Sequence, residues 1–232
     1  MSLTTQGWYP GIKHAPTAAY GYPTMAAGTM KPIAIVSHIM QGYQTTMLRW
    51  ADQRPPTNYV SAHFTINRDG HVVQHVGIFD PAWASGGTHN PTWPLYRETP
   101  TERNANYYTV AIEHEGFAIE PRYSYDFVYD EDEHWPEAMV EASIKVQQWI
   151  CVTAGITPNE STVIGHNSIN TAKPNCPGSM WPRHRIITAL QNDVVWRDHI
   201  TDELNFIEES AKGVLGSVDA VRSSLTEIGE SS

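Results

Sequence analysis

Ile33-Ala34-Ile35-Val36-Ser37-His38 is a largely apolar run that ends in an imidazole. Its length and β-branched content read as a buried strand delivering a side chain at its carboxyl end. Thr162-Val163-Ile164-Gly165-His166 repeats the design. A third run, Val110-Ala111-Ile112-Glu113-His114-Glu115-Gly116, is a strand on which Ala111, Glu113 and Glu115 share one face while Val110, Ile112 and His114 share the other. Between the first and third runs, residues 60–67 and 71–76 flank Arg68-Asp69-Gly70, the turn chemistry of a β-hairpin. Tyr43, Met47, Leu48 and Trp50 suggest a helical turn or two, stopped by Pro55-Pro56. From 136 to 154 the apolar positions Met139, Val140, Ile144, Val146, Trp149 and Ile150 predict a helix against the sheet, with Pro136 in its first turn and Gly155 past its end.

With 232 residues and 41% hydrophobic content, the chain has material for one sizeable core. Residues 7–32, rich in Gly, Pro, Tyr and Ala without periodicity, read as an irregular wrap anchored by Trp8 and Tyr9. The loop from 86 to 106 should border a cleft, since long irregular loops in compact domains are usually functional. A formal net charge of -10 argues against nucleic acid, whose binding draws on Lys and Arg neutralising phosphates. Met1-Ser2-Leu3-Thr4-Thr5-Gln6 has neither the basic region nor the apolar stretch of a secretory signal, and no run approaches the roughly 18 apolar residues of a membrane span. The expectation is cytoplasmic synthesis without a signal peptide and no membrane insertion.

Cys176 lies in Lys173-Pro174-Asn175-Cys176-Pro177-Gly178, a turn stiffened by two prolines and a glycine. Such a turn is a poor place to bury a thiol, whereas Cys151, in the helical stretch Ile150-Cys151-Val152, fits a small buried hydrophobe. Taken singly, a histidine at a strand end is commonly a polar residue leaving the sheet. Taken together, His38, His166 and Cys176 offer two neutral imidazoles and a thiolate, a set that leaves a tetrahedral Zn2+ one open position for water, as in catalytic sites.

The text around these residues resembles the zinc-dependent N-acetylmuramoyl-L-alanine amidases of the phage-lysozyme, AmpD and peptidoglycan-recognition-protein superfamily. Ser61-Ala62-His63-Phe64 with Arg68-Asp69-Gly70 and Gln74 is similar to that family's central hairpin. Ala82-Trp83-Ala84-Ser85-Gly86 resembles its Ala-Trp-x-Ala-Gly segment, and Asn106-Tyr107-Tyr108-Thr109-Val110-Ala111-Ile112-Glu113 its Asn-x-x-Ser-Ile-Gly-Ile-Glu strand. Gly165-His166 and Cys176-Pro177 resemble the pair that supplies its second and third zinc ligands. The likeness runs from about Trp8 to about Arg185 and implies an α/β fold with a single mixed central β-sheet flanked by helices. The expected division is a catalytic domain over 1–198, including the wrap of about 1–32, and a C-terminal helix or linker over 199–232.

The resemblance implies a zinc hydrolase cutting the amide between N-acetylmuramic acid and L-alanine in peptidoglycan, with metal ligands His38, His166 and Cys176. It makes Glu113 the catalytic base and Trp83 and Asn106 substrate-side residues. Lys173 is the candidate cation for the oxyanion, although it stands three positions before Cys176 where the family commonly has its basic residue two before. Ala62 replaces a tyrosine that many relatives carry, leaving the base role to Glu113. His63 reads as a satisfied structural histidine and His114 as a surface or supporting group. The biological expectation is a phage endolysin or virion-associated lytic enzyme acting on the cell wall, by host-cell lysis or from a phage particle. A non-catalytic peptidoglycan-recognition module and a wall-fragment recycling amidase are the alternatives.

From Leu204, the positions Ile207, Ala211, Val214, Val218, Val221, Leu225 and Ile228 alternate three- and four-residue steps, a heptad seam. It fits either a helix packed on the catalytic domain or a coiled coil making a homo-oligomer through 204–228.

Overall fold

The computed structural model describes residues 7–18, 20, 25–49, 60–86, 90–98, 105–118, 135–192 and 211–212. The chain divides into two compact units, Met1–Leu190 and Gln191–Ser232. The heptad seam at 204–228, apart from 211–212, lies outside the described residues, as do Trp50 and Pro55-Pro56.

The first unit is built on six strands: β1 (Lys13–His14), β2 (Ala34–Ile39), β3 (Phe64–Ile66), β4 (Val72–Gln74), β5 (Thr109–His114) and β6 (Val163–Gly165). They form one mixed sheet in the order β1-β4-β3-β5-β2-β6. β3, β5, β2 and β6 run parallel to one another, while β4 is antiparallel to β3 and carries β1 parallel to itself. All six residues of β2 are buried, as expected of a parallel strand covered on both faces. The hairpin turn is closed by Asn67, whose Oδ1 accepts from the Asp69 and His71 N–H groups. Gly70 there has φ 81°, and a Cβ would lie 2.7 Å from the Ala138 carbonyl oxygen.

Helix α1 (Gln44–Met47) follows β2. Helix α2 (Glu137–Ala154) runs between Pro136 and Gly155, with Gly155 left-handed at φ 70°. Its Met139, Val140, Val146 and Ile150 pack with Ile35, Phe64, Ile66, Val110 and Ile112, joined by Ile186, Ile187 and Leu190 from a helical segment over 183–192. The other face buries Ala34, Val36, Trp93, Ala105, Ile164 and Ile169. Trp93 donates from its indole to the Ser161 carbonyl, so the stretch expected to border a cleft also anchors this face. The N-terminal wrap contributes an edge strand, which its lack of periodicity concealed. Tyr9 stacks on Trp149 at 5.0 Å, and Gln74 holds the wrap through Tyr9 N–H and the Gly7 carbonyl. No helix of the described residues is long and apolar enough to cross a membrane.

Candidate active site

Strand alternation decides which face carries chemistry. Ile35 on β2 and Val110 and Ile112 on β5 point toward α2, so Ala34, Val36 and His38, with Ala111 and Glu113, occupy the opposite face. The parallel register pairs His38 with Glu113 across β2 and β5. On the other side of β2, Ser37 is paired with Gly165, so His166, the next residue, emerges beside His38 at the carboxyl edge. The two imidazole rings lie 4.5 Å apart.

Cys176 arrives from the following loop. Its carbonyl accepts the Asn167 N–H at 2.9 Å, and its Sγ sits 3.5 Å from the Ile39 N–H and 3.9 Å from His38 Nδ1. The Cys176-Pro177 peptide is cis. Gly165 makes this seating possible, because a Cβ there would fall 2.6 Å from Pro177 Cδ and 2.7 Å from Asn167 Oδ1. One ligand atom each from His38, His166 and Cys176 fall within 4.8 Å of one another, a group able to hold a metal.

The electrostatics suit that task. Burial, then the neighbouring His166, His114 and His63, hold the His38 pKa well below its ordinary 6.5. Burial and then the Lys173 charge lower His166 to about 4. Both rings are neutral near pH 7 and keep a lone pair to donate, while the Ile39 N–H directed at sulfur favours the thiolate. Glu113 faces His38 with Oε1 3.8 Å from Nδ1, and its buried Oε2 has no hydrogen-bond partner among the described residues. Burial pushes the Glu113 carboxyl up to about 8. An orphaned carboxylate oxygen beside two neutral imidazoles and a thiol fits a zinc ion with one position left open for water.

Strand alternation by itself would set Glu115 on the face of Glu113. β5 ends at His114, and Glu115 turns away to accept the Gln44 N–H at 2.9 Å, at the start of α1. Burial, and no like charge, is the cause of the Glu113 shift. His114, expected as a surface or supporting group, is fully buried on the α2 side. Its Nδ1–H donates to the His38 carbonyl at 3.0 Å, and its Nε2 meets Ser143 Oγ at 2.9 Å. His63 is likewise buried, accepting the Ala111 N–H at Nδ1 and donating from Nε2 to the Asp80 carbonyl.

Lys173 is exposed, yet its charge acts on His166. Trp83 is half-buried, with its main-chain N–H donating to Ser61 Oγ. Asn106, expected on the substrate side, is buried at 3% exposure, and its Oδ1 accepts the Ser85 N–H at 2.8 Å. Ser85 in turn places Oγ 3.2 Å from His38 Nε2. Sequence reasoning passed over Ser85, although it lies in the quoted Ala82–Gly86 stretch.

Residues 28–179 match the family described as N-acetylmuramoyl-L-alanine amidase. N-acetylmuramoyl-L-alanine amidase A of Achromobacter lyticus is 28% identical over 142 residues, 61% of this chain and 62% of that protein. Among solved structures, an AmpD derivative superposes with TM-score 0.58 at 18% identity, covering 80% of this chain and 97% of that one. The amidase AmiD of E. coli, solved with an anhydro-N-acetylmuramic acid peptide, gives TM-score 0.53 at 16% identity over 74% of this chain and 65% of its own. The structural likenesses carry the fold, and the match over more than half of the sequence carries the kinship: this chain belongs to the N-acetylmuramoyl-L-alanine amidase family.

Proposed function

We propose that the chain is a zinc-dependent hydrolase that cleaves the amide between N-acetylmuramic acid and L-alanine in bacterial peptidoglycan. The observation that carries this reading is the convergence of His38, His166 and Cys176 around one point, with Glu113 beside it and its Oε2 without a partner among the described residues. A zinc ion there would polarise the scissile carbonyl and acidify water at its open position.

The protein's own groups supply the remainder. Glu113 accepts the proton of the attacking water at its unpartnered oxygen and returns it to the departing amine of L-alanine. Glu113 would take that proton in its ionised form, which a cation held by His38, His166 and Cys176 would favour over the buried neutral carboxyl. Lys173, whose field already reaches His166, stabilises negative charge developing on the carbonyl oxygen. Trp83, half-buried in the segment that continues into Ser85, is the candidate substrate contact.

Within this reading the biological role is that of a phage endolysin or virion-associated lytic enzyme, a role favoured by the heptad-patterned segment that follows the matched region. The deciding experiment measures new L-alanine amino termini from purified peptidoglycan, using zinc-loaded protein, chelated protein and zinc-loaded Glu113→Ala. Zinc-dependent release that collapses in the variant with metal still bound supports the reading. Binding to peptidoglycan without new termini, at full zinc occupancy, would make the chain a recognition module instead.

A further inference from the structure

A neutral imidazole carries one N–H, and the nitrogen that bears it decides which lone pair is free to bind a metal. As a metal ligand His38 would bind through one nitrogen of a neutral ring and keep its N–H on the other. Its Nδ1 looks toward Glu113 Oε1 at 3.8 Å and Cys176 Sγ at 3.9 Å, the point where the three ligand groups converge. Its Nε2 looks the other way, toward Ser85 Oγ at 3.2 Å. Ser85 is wholly buried, and His38 is 2% exposed.

Ser85 is itself held in place. Its main-chain N–H donates to Asn106 Oδ1, in the short 3-10 turn Ala105–Tyr107 that leads into β5. The fit is close on the next residue too, since a Cβ on Gly86 would come 3.2 Å from Asn106 Nδ2. The Ser85 main chain is therefore held beside the His38 ring. The backbone of His38 is secured separately, through its carbonyl and the His114 Nδ1–H on the opposite face of the sheet. One partner holds the main chain of the ligand residue, and another holds its ring.

We propose that Ser85 is the positioning residue for His38: its Oγ accepts the Nε2–H, fixing the tautomer and ring angle that present the Nδ1 lone pair to the metal, while Asn106 holds Ser85 in place. This rests on the reading of His38 as a zinc ligand. Asn106 thereby acts through Ser85, two hydrogen bonds removed from the His38 ring. Hydrogen-bond partners of this kind typically change metal affinity by about 10- to 100-fold when removed.

The test compares wild type, Ser85→Ala, Asn106→Ala and His38→Ala for zinc affinity, by competition with a chromogenic chelator. Wild type should bind one zinc and His38→Ala should lose it, an outcome that bears on the ligand reading alone. If His38→Ala binds as tightly as wild type, that reading fails whatever Ser85 does. Given a functioning ligand set, Ser85→Ala is expected to weaken zinc by about 10- to 100-fold and Asn106→Ala by less, with KM unchanged at saturating zinc. Unchanged affinity in Ser85→Ala overturns the proposal.

A second measurement uses only the wild-type protein, so it survives any folding failure of the variants. With cadmium substituted for zinc and the histidine rings labelled with nitrogen-15, the His38 coupling to the metal should appear at Nδ1, with a slowly exchanging proton on Nε2. Metal coupling at Nε2, or a fast-exchanging Nε2 proton, overturns the proposal. A serine that merely filled space would move neither signature.

Discussion

His38 on β2 and Glu113 on β5 occupy the same register position of two parallel strands, with Nδ1 of one 3.8 Å from Oε1 of the other. The pair is too far apart for a hydrogen bond, and Glu113 Oε2 is shielded from water although the side chain keeps 13% exposure. A carboxylate kept in that setting is costly to the fold and useful to a reaction that must move a proton.

The cost has a sign. In the absence of metal the folded pKa of Glu113 is about 8 against an ordinary 4.5, so the folded state holds the extra proton between those values. The stability of chelated protein should therefore fall as pH rises from about 4.5 to about 8, then level. Glu113→Gln removes this dependence and should be more stable than wild type at the alkaline end, on the order of a few kcal/mol by chemical denaturation. The same variant should lose amidase activity by about 100-fold or more with zinc retained. Identical pH profiles for the two chelated proteins would contradict the buried-carboxylate account.

Gly165→Ala tests the seating of Cys176, the third candidate ligand. The new Cβ would overlap Pro177 Cδ and Asn167 Oδ1, so the turn bearing Cys176 must move away from β6. We expect a loss of about 1–3 kcal/mol in stability. Zinc-to-protein stoichiometry should also fall, read by metal analysis after dialysis. A variant that keeps full zinc and wild-type Tm would show that the turn can relax freely.

Lys173→Met separates two effects of one charge. Lys173 lowers the His166 pKa, so its removal should raise that pKa in the chelated protein, as followed by NMR titration of the ring. With zinc restored, kcat should drop by about 10- to 1000-fold if the ammonium stabilises the oxyanion. A shifted His166 titration with unchanged kcat would keep Lys173 near the site and remove it from the chemistry.

His63 reports on the fold apart from the ligands. Burial lowers its pKa from 6.5 to about 4, so between those values the unfolded chain binds a proton that the folded chain does not. Its contribution to stability is complete above pH 6.5 and declines as pH falls toward 4, below which it is constant. Urea unfolding across that window should show the decline, and the His63 ring should stay neutral in NMR titration down to about pH 4.

What the sequence determined by itself is local. β-branched runs made strands of Ala34–Ile39 and Val163–Gly165, Asn67 to Gly70 made the hairpin turn, and Pro136 and Gly155 bounded α2. Each of these depends on backbone preferences and hydrogen bonds within a few residues, which a short stretch of text contains. The types of the three candidate ligands were equally legible, because a histidine at the end of a buried strand and a cysteine in a proline-bound turn are conspicuous where they stand. The tertiary structure alone decided how distant segments lie beside one another. The register of β2 against β5 and β6 sets His38 beside both Glu113 and His166, and the space left by Gly165 admits the Cys176 turn. The same packing buries His114, draws Glu115 off to α1, and turns Asn106 and Ser85 inward toward the back of the His38 ring. Register between parallel strands is chosen by the fit of side chains across the whole core, and no segment carries that information on its own.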